Sequence, residues 1–257
     1  MNSLAPDGTP NDGAPTPRES EASERATNDA MALRPLFIPR GLVMLCSLWV
    51  FLCWVMLFGF RPPVQPQAAS YGPSIEMLFL LTGVGIAIGW PLLRLSARPS
   101  SAPLTQAAID GVSVLVLLQV VVWPLRLVTS WTLARAVALD AALGATILLT
   151  AALLAASQGS TSRRWRTSAM IVAVTLVLAP VLADAVFHGV GASQASPPWL
   201  SDTLHAMSAP ALLAQFSHPN TIDPSEAERS LIWRAMALGC AGWATALSVL
   251  FVRQGQR

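Results

Sequence analysis

An acidic residue inside an apolar run is the first feature of this sequence that could do chemistry. Asp140 lies about a third of the way along the stretch from Leu133 to Ala156. In hydrocarbon an unpaired carboxylate costs about 2.5–3.5 kcal/mol on an insertion scale, so it needs a partner or a proton. Glu76, Arg126, Arg135, Asp184 and His188, together with Arg61, fall on the same side of the segment layout developed below. With Asp140 they make an interhelical polar network geometrically possible. Such a network reads either as an ion, proton or polar-substrate site, or as structural salt bridges with Arg126 and Arg135 snorkelling outward.

Metal chemistry has a thinner basis. Asp184 and His188 are four apart and share a helical face, and Asp202 and His205, three apart, share another. Imidazole nitrogen and carboxylate oxygen both suit zinc, but neither pair matches a signature such as HExxH. The plainer reading is polar residues of an outer loop. Cys46, Cys53 and Cys240 all sit in apolar runs without a CxxC, as inert small hydrophobes. No pattern calls for a cofactor.

Absences narrow the field further. All 16 basic residues are Arg, so there is no Walker A lysine and no Schiff-base or general-base lysine. The chain also lacks a GxSxG elbow and a Gly-rich dinucleotide loop. No catalytic motif is present, and the reading is of a protein that is not an enzyme.

These side chains must be positioned by membrane helices. The chain is 53% apolar and 12% charged, with a mean hydropathy of +0.53, against roughly 25% charged residues in a soluble domain. Six apolar segments follow, at 41–60, 75–93, 107–127, 133–156, 168–187 and 231–252. Each approaches the ~20 residues that cross ~30 Å of hydrocarbon. Helices are required, because lipid offers backbone groups no hydrogen-bond partner. The fold class is all-α, a polytopic transmembrane bundle of about six spans over residues 31–257. Residues 1–30, rich in Pro and acids, are expected to be a disordered cytoplasmic tail.

Arginine placement sets the orientation. With the N-terminus in the cytoplasm, Arg34, Arg40, Arg94, Arg98, Arg163, Arg164, Arg166, Arg253 and Arg257 fall inside, and Arg61, Arg126, Arg135, Arg229 and Arg234 fall outside. The positive-inside rule therefore puts both termini in the cytoplasm, in what reads as a bacterial cytoplasmic membrane. Trp90, Trp123, Trp131, Trp165, Trp199 and Trp233 lie near segment ends, as an aromatic belt would place them. The basic surplus points to lipid and not to nucleic acid.

The last connection is the longest. Ser201 to Phe216 reads as a short amphipathic helix on or dipping into the outer leaflet, interrupted near Pro210. Ser225 and Glu228 form a capping box that should start the final helix. Small residues at helical spacing predict close packing: Gly85 and Gly89 with Gly83 nearby, Ala141, Gly144 and Ala145, and Ala235 with Gly239. Pro91, Pro124 and Pro180 are expected to kink their helices.

In layout the chain resembles membrane subunits of ABC-2-type exporter permeases. The similar features are the Met31 to Arg40 segment as an interfacial helix, six spans with both termini inside, and short outer helices (Trp199 to Phe216) between the fifth and sixth spans. The resemblance implies export of lipids, glycans or drugs with a separate P-loop ATPase subunit, and a homo- or hetero-oligomeric membrane partner. The short loops after the second and fourth spans depart from it, since nothing in them marks a coupling helix. A structural or assembly protein, or a membrane-embedded metal enzyme built on Asp184, His188, Asp202 and His205, are the other readings.

Overall fold

The computed structural model describes residues 40–55, 71–97, 102–129, 131–158, 162–189, 198–217 and 223–255. Residues 1–39, with the acidic tail and the expected interfacial helix, lie outside them, as does Arg61. The described residues form α1 (Arg40–Trp54), α2 (Gly72–Ser96), α3 (Pro103–Val128), α4 (Leu133–Gln158), α5 (Arg163–Gly189), α6 (Pro198–Met207), α7 (Ala209–Phe216) and α8 (Glu226–Gly255). Four helices, corresponding to α2 through α5, are long and apolar enough to cross a membrane, as an integral membrane protein requires. The expected count of six turns on α1, which has 15 residues, and on α8. The latter has 30 residues but carries Glu226, Glu228, Arg229 and Arg234 in its first third. The outward surface is itself apolar. Val112, Val116 and Val120 form an exposed stripe on α3, and Ile171, Val181 and Leu182 stand exposed on α5, which is the face lipid would cover.

α4 is the axis of the bundle. Ala136, Leu139, Ala142, Leu143, Ala145, Leu154 and Ala155 are all buried, and α8 and α3 pack along it most extensively. The α8 face uses small residues: a Cβ on Gly239 would lie 2.9 Å from Leu148 Cδ2, and one on Gly242 3.0 Å from Ala152 Cβ. Ala235 and Ala246 are buried in the same seam. The Trp243 indole crosses it and donates to the Leu148 carbonyl at 3.1 Å. On α4, Ala145 is buried, Ala141 is half-buried, and a Cβ on Gly144 would meet nothing within 4 Å.

The GxxxG pair does not act as a unit. A Cβ on Gly85 would meet Trp49 Nε1 of α1 at 2.8 Å, whereas one on Gly89 would meet nothing within 4 Å. The close approach is at Gly83, where an added Cβ would sit 2.7 Å from Pro210 Cα and 2.9 Å from Ala209 C. Between Gly85 and Gly89 the helix widens into a π turn, closed by a bond from the Trp90 N–H to the Gly85 carbonyl. Pro91 explains it, since it has no N–H for the Ala87 carbonyl and its ring pushes that carbonyl away. The aromatic belt is also only partial: Trp90 and Trp131 are buried in the core, while Trp123, Trp165, Trp199 and Trp233 face outward.

The helix expected on or dipping into the outer leaflet is a pair, α6 and α7, of which α7 is the buried member. Pro210 cannot continue α6, and Ser208 takes an extended backbone (φ −92°, ψ 107°) between the two helices. Its N–H bonds the Leu204 carbonyl at 3.0 Å and its carbonyl accepts the Leu212 N–H at 2.9 Å, so one residue joins both ends. α7 is not at the surface: Ala209, Leu212, Leu213, Phe216 and Ser217 are buried against α2 and α4. Its first turn rests on Gly83, near the middle of α2, and the Ser208 hydroxyl donates to the Val177 carbonyl in the middle of α5 at 3.3 Å. Its last turn reaches Arg135, near the start of α4. The pair therefore dips to half the depth of the bundle and returns. At about 1.5 Å per residue, helices of 10 and 8 residues are each about 12–15 Å long, half of a ~30 Å hydrocarbon core.

Candidate functional site

Where α6 and α7 break, a cavity of about 240 Å³ opens beneath them. Met207 and Ala209 roof it, α4 supplies Thr146, Leu149, Thr150 and Leu153, and α5 supplies Val172, Ala173 and Leu176. Ala87 of the π turn and Thr245 of α8 complete the wall. Two of the hydroxyls are turned back on their own helices, Thr146 to the Leu143 carbonyl and Thr245 to the Gly242 carbonyl, at 2.8 and 2.7 Å. That arrangement leaves their oxygen lone pairs free to accept. Thr150 is buried and has no hydrogen-bond partner among the described residues. Sequence reasoning missed this site, because threonine is unremarkable in an apolar helix and only convergence singles it out.

The arginine expected to snorkel does the opposite. Arg135 is fully buried. Its Nε donates to the Phe216 carbonyl at 2.9 Å, one terminal nitrogen donates to the Gln215 carbonyl at 3.1 Å, and the other pairs with Glu228 Oε1 at 2.8 Å. The guanidinium also lies 5.5 Å from the Phe216 ring centroid. The side chain thus caps the C-terminal end of α7, where the helix dipole is negative, and ties α7 to the start of α8.

Glu228 completes the clasp through the expected capping box. Its Oε2 accepts from the Ser225 N–H at 2.7 Å, and its own N–H donates to Ser225 Oγ at 3.2 Å. Burial alone would push its carboxyl up, but the Ser225 N–H and the Arg135 guanidinium outweigh burial and hold it below the ordinary value of 4.5. A carboxyl lowered in the folded state binds fewer protons than in the unfolded one, so its contribution is complete above pH 4.5 and disappears as pH falls below that value. We expect the melting temperature in detergent to decline on acidification below pH 4.5, and Glu228→Gln to flatten that limb. A pH series of melting curves checks this, and an acid limb identical in the variant would assign it to other groups.

The rest of the expected network is divided. Asp140, half-buried, accepts from the Gln119 amide of α3, and Gln119 Oε1 in turn accepts from Trp123 Nε1 at 2.7 Å. Its partner is therefore an amide and not an arginine. Arg126 is exposed, and Glu76, half-buried, has no partner among the described residues. The side chains of Asp184 and His188 lie outside the described residues. Asp202 pairs with Arg234 at 2.7 Å with both side chains about half exposed, and His205 Nδ1 faces the Ser201 carbonyl at 2.8 Å. The two are thus engaged separately. Among the described residues no group of three His, Cys, Asp or Glu is arranged to hold a metal.

A second ion pair was not foreseen. Asp110 of α3, fully buried, is held by a two-pronged contact from Arg94 of α2 and by the Gln106 amide at 2.8 Å. Both residues were visible in the sequence, and the rule that singled out Asp140 applies equally to an acid four residues into the third apolar segment. Arg94 read only as an orientation signal because the pairing crosses two helices.

The described residues define an all-helical fold with four membrane-length helices and a short helix pair whose second member, α7, is buried and clasped at one end of the bundle. Compared with protein-family models, curated protein sequences and solved structures, the chain matches none of them.

Proposed function

We propose that the chain is a permease-like subunit that crosses the bilayer six times, with both termini in the cytoplasm, and works with a separate P-loop ATPase. The re-entrant pair carries this reading. Non-helical backbone at membrane depth is tolerated only where it is buried in protein or lines a cavity, and discontinuous helices that end near the midplane are the usual frame of a transport site. Ser208 is such a break, and the cavity lies directly under it. The pair also sits between α5 and α8, the position of the short outer helices in the permease layout.

Affinity purification of the tagged protein in mild detergent, with identification of co-purifying chains and an ATPase assay, tests the proposal. A stoichiometric P-loop ATPase is the expected result. Recovery of the protein without ATPase activity would favour a structural or assembly role, for which the Arg135 clasp and the small-residue α4–α8 seam would suffice.

A further inference from the structure

The same cavity has a chemistry that can be read further. None of its lining residues is charged, so it offers nothing to offset the desolvation of an ion. Its polar groups are hydroxyls: two acceptors, Thr146 and Thr245, and Thr150, which is buried without a partner among the described residues. The Thr150 hydroxyl is not fully enclosed and opens onto the cavity, so an occupant that bonds it gains about 0.5–1.5 kcal/mol that lipid tails cannot supply.

Access is lateral. Val172 on α5 and Thr245 on α8 both line the cavity and are exposed on the outward surface. Only 17% of the membrane-length window of α5 is buried, against 61% for α4, so α5 lies at the margin of the bundle. An occupant therefore comes from the surrounding apolar phase. An apolar cavity of about 150 Å³ holds one benzene, so about 240 Å³ suits a monocyclic or short-chain molecule, or the end of a longer one.

We propose that this cavity binds an uncharged lipophile bearing one hydroxyl or carbonyl group, which enters between α5 and α8 and hydrogen-bonds Thr150. The proposal deepens the permease reading by naming a ligand class. Its test uses neither an ATPase nor flux, so the two fail separately.

The probe is octanol carrying a chain diazirine, photolysed with the full-length protein in detergent and in vesicles, with labelled peptides mapped by mass spectrometry. Labelling of the peptides bearing Thr150 and Val172, saturable and displaced by excess octanol, is expected. Thr150→Val is nearly isosteric and should weaken saturable labelling about fivefold, the worth of one hydrogen bond, while Thr150→Ser restores it. Val172→Trp, which closes the opening without touching a hydroxyl, should abolish labelling at Thr150. Labelling spread over the outward faces of α3 and α5 and not displaced by octanol would overturn the proposal. So would undiminished labelling in Thr150→Val, because the hydroxyl would then have no part in binding.

Discussion

Replacing Arg135 by Met should lower the stability of the detergent-solubilised protein by about 3–5 kcal/mol, the cost of removing one partner from a buried ion pair. The variant leaves the Glu228 carboxylate buried and opposed only by the Ser225 box. It also strips the donors from the Gln215 and Phe216 carbonyls, each worth about 1–3 kcal/mol when left buried and unsatisfied. Lysine cannot repair this, because a single ammonium lacks the planar fork that reaches two carbonyls and a carboxylate at once. The double variant Arg135→Met, Glu228→Gln should recover part of the loss. Gln keeps the capping box and removes the stranded charge. Melting temperatures of the three proteins measure the effect, and a loss for Arg135→Met below about 1 kcal/mol would mean that the clasp behaves like a surface salt bridge.

Gly83→Ala should destabilise the protein by about 1–3 kcal/mol, as overpacking does, whereas Gly89→Ala should be neutral or stabilising by about 0.5–1 kcal/mol. The added methyl at Gly83 meets the backbone of Ala209 and Pro210, which cannot rotate away, and displacing it moves the whole start of α7. At Gly89 there is open space. Gly85 should fall between them, since its neighbour is a tryptophan side chain that can shift. The comparison is of three variants measured by thermal unfolding under one condition. A larger effect at Gly89 than at Gly83 would mean that the re-entrant pair does not rest on α2.

Much of this protein is written locally. Helix positions follow from runs of apolar residues and from proline and capping signals: α2 through α5 fall on the second to fifth expected segments, and the Ser225–Glu228 box opens α8 within a residue. The interruption near Pro210 was legible for the same reason, because a missing N–H acts on its own helix. Side-chain partners were not legible. Arg135 could have paired with Asp140, five positions on along the same helix, yet it pairs with Glu228, 93 residues away.

Sequence alone determined an all-helical chain with membrane-length apolar segments, its polar interruptions and its caps, because these depend on hydropathy and on hydrogen bonds between near neighbours. Only the tertiary structure decided that α7 is the buried member of the last connection, that Gly83 and not Gly89 is the contact, and that three threonines from two helices share one cavity. The physical reason is that an amphipathic pattern states which face is apolar but not whether lipid or protein covers it. In a membrane both are apolar, and the choice falls to close backbone approach and to buried polar groups that must find donors from elsewhere in the chain.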